Sequence, residues 1–283
     1  MPLVRYDELL HDARQRGYAV GAFNIFSMEF LPSILKAAKV EQSPVLLQVA
    51  PVHFHMLDLK PYLDYVKTQI AKTSVPVGLN MDHGTEIRLI FSGIQAGFPS
   101  VMFDGSRFDF DKNLQLTRRV VDICHSLDMT VEAELGTLNE EGGRATQLSD
   151  SLMTDPDHAV RFVKETQVDS LAVAIGNAHG VYKGEPKLDF ARLQTIAERV
   201  DVPLVLHGGS GIADTDFQKA IRFGIAKINI YTEMCLTASK TLQSLLADSA
   251  NQADYVKLLQ KTREAVQQAV QRRMQVFGSS GKA

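Results

Sequence analysis

The chain has 283 residues, 45% apolar and 22% charged, the balance of a globular protein and not of a disordered or fibrous one. Thirty Lys and Arg against 33 Asp and Glu leave a formal charge of −3 and a sequence pI of 6.2. There is no global basic footprint for nucleic acid, so an anionic ligand must be held by a local site. The two cysteines, Cys124 and Cys235, are too few for a disulfide framework or a thiolate zinc cluster. Both fall in helical-looking stretches and read as buried free thiols of a reducing compartment. The first residues, MPLVRYDELLHDARQRG, are charged and lack the apolar segment of a signal peptide. No run of 18 uncharged apolar residues reads as a membrane span. The expectation is a cytoplasmic protein with neither membrane nor nucleic-acid partner.

The length admits two domains, but single α/β barrels commonly run this long. Apolar, β-branched runs are predicted as strands at 19–24, 44–49, 76–82, 100–104, 130–134, 169–175, 203–207 and 226–230. They are too apolar for one wet face, so they read as parallel strands covered on both sides. Amphipathic segments lie between them at 28–40, 59–72, 86–96, 110–127, 156–166, 189–199, 214–223 and 233–247. Thr154-Asp155-Pro156 offers a cap and a first-turn proline. Asp214 and Gly224 read as the cap and the close of the seventh of these helices. Eight strand–helix units predict a closed (β/α)8 TIM barrel over residues 1–283. An open doubly wound sheet would want a glycine-rich turn after the first strand, and GAFNIFSM is not one. A further helix at about 254–275 is surplus to the barrel, either a docking or subunit-contact element or a solvated tail. The longest non-periodic stretch, 136–154, reads as a lid after the fifth strand.

In such a barrel the active site gathers at the C-terminal strand ends. There stand Asn24, Asp82-His83-Gly84, Asp104, Glu132 and Glu134, Asn177-Ala178-His179-Gly180, His207-Gly208-Gly209-Ser210, and Asn229 with Thr232. Three of the eight histidines, His83, His179 and His207, close different strands, and each precedes a glycine. Three imidazoles converging with one position left open is the pattern of a catalytic zinc. His11, His125 and His158 lie on predicted helices and read as surface residues. His53 and His55 follow the second strand, within reach of the mouth. Asp82 is placed either as an acid/base beside the metal or as a cap for the next helix. Glu132 and Glu134 share a strand face and need a cation, which is a metal or an inward Lys or Arg. The glycine-rich turn 207–211 precedes a helix and suits phosphate, with Lys183 placed to add charge.

The segments GAFNI (21–25), DHG (82–84), FDGSRF (103–108), VEAELG (131–136), DSLAVAIGNAHGVY (169–182), VPLVLHGGSGI (202–212) and KINIYTE (227–233) run in order across nearly the whole chain. Together they resemble the class II, zinc-dependent ketose-bisphosphate aldolases, especially the branch cleaving fructose or tagatose 1,6-bisphosphate. The resemblance implies a homodimer or homotetramer that splits a sugar phosphate into dihydroxyacetone phosphate and an aldehyde. It implies one zinc per subunit on His83, His179 and His207, with Asp82 moving the proton of the C4 hydroxyl. Asp104 and Glu134 match residues that hold the metal in an alternate position or brace its ligands. Gly180, Gly208, Ser210, Asn229 and Thr232 match the seat of the dihydroxyacetone-phosphate half. The family's mobile glutamate maps to Glu140 or Glu141, with Glu141 preferred, and a monovalent cation (Na+ or K+) sits near the phosphate. A lysine-imine route is disfavoured, because the sixth strand carries no lysine and Lys227 opens the eighth at the wrong end.

Three departures concern the aldehyde half. Ala-Pro-Val-His-Phe-His (50–55) replaces a small Ser/Gly-rich stretch, and Tyr231 replaces a small or acidic residue. An Asp-Pro-Arg segment before the last helix is absent, the nearest stretch being 253–257. The expectation is a modified substrate end (sulfonate, carboxylate or uncharged), set against an ordinary bisphosphate aldolase. A non-catalytic sugar-phosphate-binding barrel would have lost a ligand or Asp82, and none is missing. A metal-dependent hydrolase or epimerase is the remaining alternative.

Overall fold

All eight apolar runs are strands, and their residues are buried on both faces. The computed structural model describes residues 2–137, 144–145, 152–182, 184–247 and 254–283. The barrel strands are β1 (Val20–Asn24), β2 (Val45–Val49), β3 (Val77–Gly84), β4 (Ser100–Phe103), β5 (Thr130–Leu135), β7 (Ser170–Val173), β9 (Leu204–Leu206) and β10 (Ile225–Ile230). They pair in parallel and close in the order β1-β10-β9-β7-β5-β4-β3-β2, the predicted (β/α)8 TIM barrel. A separate parallel pair joins β6 (Arg144–Ala145) to β8 (Val181–Tyr182).

Helices α2 (Phe30–Glu41), α3 (Leu59–Ile70), α4 (Ile87–Ala96), α5 (Phe110–Ser126), α6 (Pro156–Thr166), α7 (Phe190–Arg199), α8 (Asp214–Arg222) and α9 (Thr232–Ala247) fill the intervening segments. A short 3-10 turn, Pro51–Met56, follows β2. Asp155 accepts hydrogen bonds from the backbone of Asp157 and His158 and starts α6 with Pro156 behind it, as the sequence predicts. Asp155→Ala is expected to lower stability by about 1 kcal/mol, read by urea unfolding with unchanged activity. Asp214 is not a cap: it is the first residue of α8, and the capping position is Ala213, which makes no side-chain bond. The Asp214 carboxylate instead binds Arg272 and Arg273, both at 2.7 Å. Cys124 is buried and Cys235 half-buried, both free, so the second thiol is less enclosed than expected. His11, His125 and His158 are exposed on helices. Among the described residues no helix is long and apolar enough to cross a membrane.

Two helices lie outside the eight units. α1 (Tyr6–Arg16) places Tyr6, Leu9, Leu10 and Ala13 on one buried face and closes on Gly17 at φ 68°. This face packs with Val20, Ala22, Leu46, Met102, Ala172, Val205 and Ala226, and so plugs the floor of the barrel. The N-terminal stretch carries this i, i+3, i+4, i+7 spacing openly, but the sequence reading weighs it only as a leader. α10 (Tyr255–Val276) buries Leu258, Thr262, Val266, Val270 and Met274, one every fourth residue. It packs on α2 and α9, and Phe277 just beyond it meets Phe217 ring to ring at 5.1 Å. The last helix therefore docks on its own chain and is not a solvated tail.

Candidate active site

The C-terminal ends of the strands carry the polar residues inward, and β3 does so by an irregularity. Neighbouring side chains on a regular strand face opposite ways. Here the β3–β4 ladder slips, Met81 pairing with Val101 and Gly84 with Phe103, so three residues span the space of two. His83 takes φ 45° within this bulge, a strained conformation for a residue with a Cβ. Asp82 and His83 consequently both line one pocket of about 320 Å3, with Asn24, His53, His179, His207, Gly208, Ser210, Asn229 and Thr232 around it. A volume of this size suits a small molecule.

Donor atoms of His83, His179 and His207 lie within 4.8 Å of one another. Their ring centroids are 4.9 Å (83–179), 4.6 Å (83–207) and 5.8 Å (179–207) apart. Donor atoms of a second grouping, His83, Asp104 and Glu134, also lie within 4.8 Å of one another. His207 Nε2 stands 2.7 Å from Glu132 Oε1. An ionised carboxylate only accepts, so this nitrogen carries the proton and Nδ1 keeps its lone pair, which accepts from Asn229 Nδ2 at 3.1 Å.

The electrostatics fit a cation. Burial pushes His179 down to about 3, and burial also lowers His207, so both rings stand neutral, the form that ligates. Burial disfavours a charged His83, but Asp82, Asp104 and Glu134 outweigh it and raise it to about 10. Three carboxylates thus surround one imidazole with positive charge drawn toward them. Glu134 is fully enclosed and is pushed well above the carboxylate range, by burial first and Asp104 second. Its Oε2 is buried without a hydrogen-bond partner. An orphaned carboxyl oxygen beside His83 and Asp104, with the neutral rings of His179 and His207 in the same cluster, is a donor set a divalent ion satisfies.

Asp82 is held at both oxygens. Asn24 Nδ2 donates to Oδ2 at 2.9 Å and Asn229 Nδ2 to Oδ1 at 3.2 Å. Burial disfavours its charge, but His83, His207 and Lys227 outweigh burial and keep it an anion. It caps no helix, since α4 begins at Ile87 with Glu86 in the capping position and no side-chain bond there.

The chain can now be set beside known proteins. The family model "Fructose-bisphosphate aldolase class-II" matches residues 4–282. This chain belongs to the class-II fructose-bisphosphate aldolase family. Its members are lyases of carbohydrate metabolism. A "Probable fructose-bisphosphate aldolase" of Bacillus subtilis (strain 168) is 40% identical, with all of both chains covered. A "Fructose-bisphosphate aldolase" of Staphylococcus aureus (strain Mu50 / ATCC 700699) is 39% identical, again over both whole chains. Among solved structures, the YdjI aldolase from Escherichia coli K12 aligns with a TM-score of 0.88 at 35% identity over 99% of each chain.

Within this aldolase-family barrel the glycine-rich turn is tightly built. Gly208 has φ 65°, and a Cβ there would stand 2.2 Å from the Ala178 carbonyl oxygen. The His207 and His179 loops therefore touch backbone to backbone. Tyr182 joins them as well: its hydroxyl accepts from Ala178 N–H at 2.8 Å and donates to Gly208 O at 3.0 Å. Ser210 Oγ accepts from Glu233 N–H at 3.0 Å, which brings the turn against the start of α9. Gly180, Gly208, Gly209, Ser210, Asn229 and Thr232 line the pocket together.

The opposite rim is aromatic. His53 is 7% exposed and lies 3.1 Å from the Tyr231 hydroxyl through Nε2. Phe26 stacks on it at 5.0 Å between centroids. His55 is exposed and does not line the pocket. The described lining residues include no Lys or Arg. Glu140, Glu141 and Lys183 lie outside the described residues, as does most of 136–154.

Sequence reasoning passes over Tyr6, Tyr182 and Phe26, and treats Glu132 and Lys227 only as an open pairing. Tyr182 sits inside a quoted motif but carries no chemical signal of its own. The Glu132–Lys227 contact spans 95 residues and appears only once the barrel closes.

Proposed function

We propose that this chain is a zinc-dependent aldolase that cleaves a ketose 1-phosphate to dihydroxyacetone phosphate and an aldehyde. The observation that carries the reading is the convergence of three imidazoles beside Asp82, a carboxylate gripped at both oxygens. His83, His179 and His207 would hold the ion, with Asp104 and Glu134 as alternate ligands or braces. When bound, Zn2+ supplies Lewis acidity that polarises the C2 carbonyl and stabilises negative charge developing on its oxygen.

The other roles fall to the chain. Asp82 takes the proton of the C4 hydroxyl as the C3–C4 bond breaks, leaving an aldehyde and an enediolate. Asn24 and Asn229 keep that carboxylate aimed, and position is its main contribution. The backbone N–H groups of the 208–210 turn and the N-terminus of α9 at Thr232 receive the phosphate. Gly180 lets the neighbouring loop approach it, and Lys183 and a monovalent cation (Na+ or K+) complete the seat. Glu141, or Glu140 beside it, returns a proton to C3 of the enediolate. A homodimer or homotetramer in the cytoplasm belongs to the same reading.

The far end of the sugar meets His53, Tyr231 and Phe26. A dianionic phosphate is poorly served by a rim whose described residues include no lysine or arginine. The substrate is therefore assigned a sulfonate, carboxylate or uncharged end. The second reading, an ordinary fructose or tagatose 1,6-bisphosphate aldolase, is favoured by the names of the relatives. A coupled assay of dihydroxyacetone phosphate release separates the two across a series of ketose 1-phosphates differing only at the terminus. Equal turnover of fructose bisphosphate and every analogue sinks the modified-substrate reading. His53→Ala is expected to lower kcat/KM by about tenfold for the preferred substrate. Proton exchange on dihydroxyacetone phosphate alone should stay unchanged in that variant.

A further inference from the structure

Inside the barrel, between the mouth and the floor, lies a set of buried polar groups that the reaction does not touch. Glu132 on β5 and Lys227 on β10 have side chains with no solvent exposure, and they pair at 2.5 Å. Tyr6, on the helix that plugs the floor, donates its hydroxyl to the same Glu132 oxygen, Oε2, and stands 2.9 Å from Ser170 Oγ. Its ring centroid is 5.6 Å from Lys227 Nζ. The other Glu132 oxygen takes the Nε2 proton of His207 at 2.7 Å. Both carboxylate oxygens are thus engaged, and the group cannot turn.

Such a pair is not explained by stability. Desolvating two charges is costly, and an apolar pair of similar volume in the same space is often as stable or more stable. What the pair does achieve is a fixed acceptor behind one imidazole. A ligand histidine that donates its remote N–H to a carboxylate is locked in tautomer and orientation, and its other nitrogen becomes a better donor.

We propose that Tyr6, Glu132 and Lys227 are positioning residues for metal binding, holding the proton of His207 on Nε2 so that Nδ1 faces the ion. The inference rests on the metal-dependent reading above. It also ties the floor helix to the mouth: Tyr6 on α1 steadies Glu132, and Glu132 steadies His207.

The test measures Zn2+ affinity of metal-stripped protein by competition with a chromogenic chelator, without substrate. Glu132→Gln is expected to weaken Zn2+ binding by about 10–100-fold. The double variant Glu132→Leu/Lys227→Met removes the buried charges together, so its Tm should match or exceed wild type. Its Zn2+ affinity should still fall by at least about tenfold. A purely structural network predicts the reverse, and a stable double variant that binds Zn2+ as tightly as wild type overturns the proposal. If the Glu132 variants do not fold, Tyr6→Phe removes only the far hydroxyl. It is expected to weaken Zn2+ binding by about threefold or more, and unchanged affinity there overturns the proposal too. Wild-type protein that binds no Zn2+ at all would instead sink the metal-dependent reading itself, and this inference with it.

Discussion

Asp82→Asn is expected to cut cleavage by about 10^2–10^4-fold, the range of a general acid–base group, while Zn2+ content stays at wild-type level. The asparagine keeps the shape and one acceptor oxygen, so it can still accept from one of Asn24 and Asn229, which donate to the two carboxylate oxygens at 2.9 and 3.2 Å. What it loses is the capacity to take the C4 proton. The loss should appear in kcat more than in KM, since the groups proposed to hold the phosphate are unchanged. Proton exchange on dihydroxyacetone phosphate, which involves no C4 hydroxyl, should survive. Rates of sugar cleavage within tenfold of wild type would remove Asp82 from its role. A coupled dehydrogenase assay and elemental analysis of the same preparation read both halves of the prediction.

The second large effect is His207→Ala, expected to lose Zn2+ and activity together. Cleavage should drop by more than about 1,000-fold, beyond the 10–100-fold typical of a residue that only supports a ligand. The fold should persist, because Glu132 keeps Lys227 at 2.5 Å and the Tyr6 hydroxyl, so no buried charge is left alone. Circular dichroism checks that point. Chelation of wild-type protein should reproduce the variant's inactivity, with recovery on returning Zn2+. Wild-type protein that stays fully active after metal removal would refute the reading of the imidazole cluster.

The barrel is legible because parallel strands buried on both faces leave an unbroken apolar signature, and glycines and capping residues punctuate the rest. Asp155-Pro156 marks the start of α6 correctly. Asp214 misleads: an acidic residue near a helix start reads as a cap, but Arg272 and Arg273 draw it into the first turn of α8. The three histidines are legible because strand-end position converts sequence order into spatial convergence. His55 is not, because the 3-10 turn after β2 buries His53 and leaves its neighbour but one in solvent. Partners such as Tyr6 with Glu132 are set by which strands meet across the barrel. Local spacing holds no record of that.

The slipped register in β3 has a consequence for anyone rebuilding this chemistry elsewhere. Asp82, the proposed proton acceptor, and His83, a proposed metal ligand, are consecutive in the chain, yet both line one pocket. Grafting the same amino acids onto an idealised barrel would send one of the two toward the surrounding helices. The extra residue and its positive φ must travel with them, so here the backbone defect is as much a part of the catalyst as the functional groups it presents.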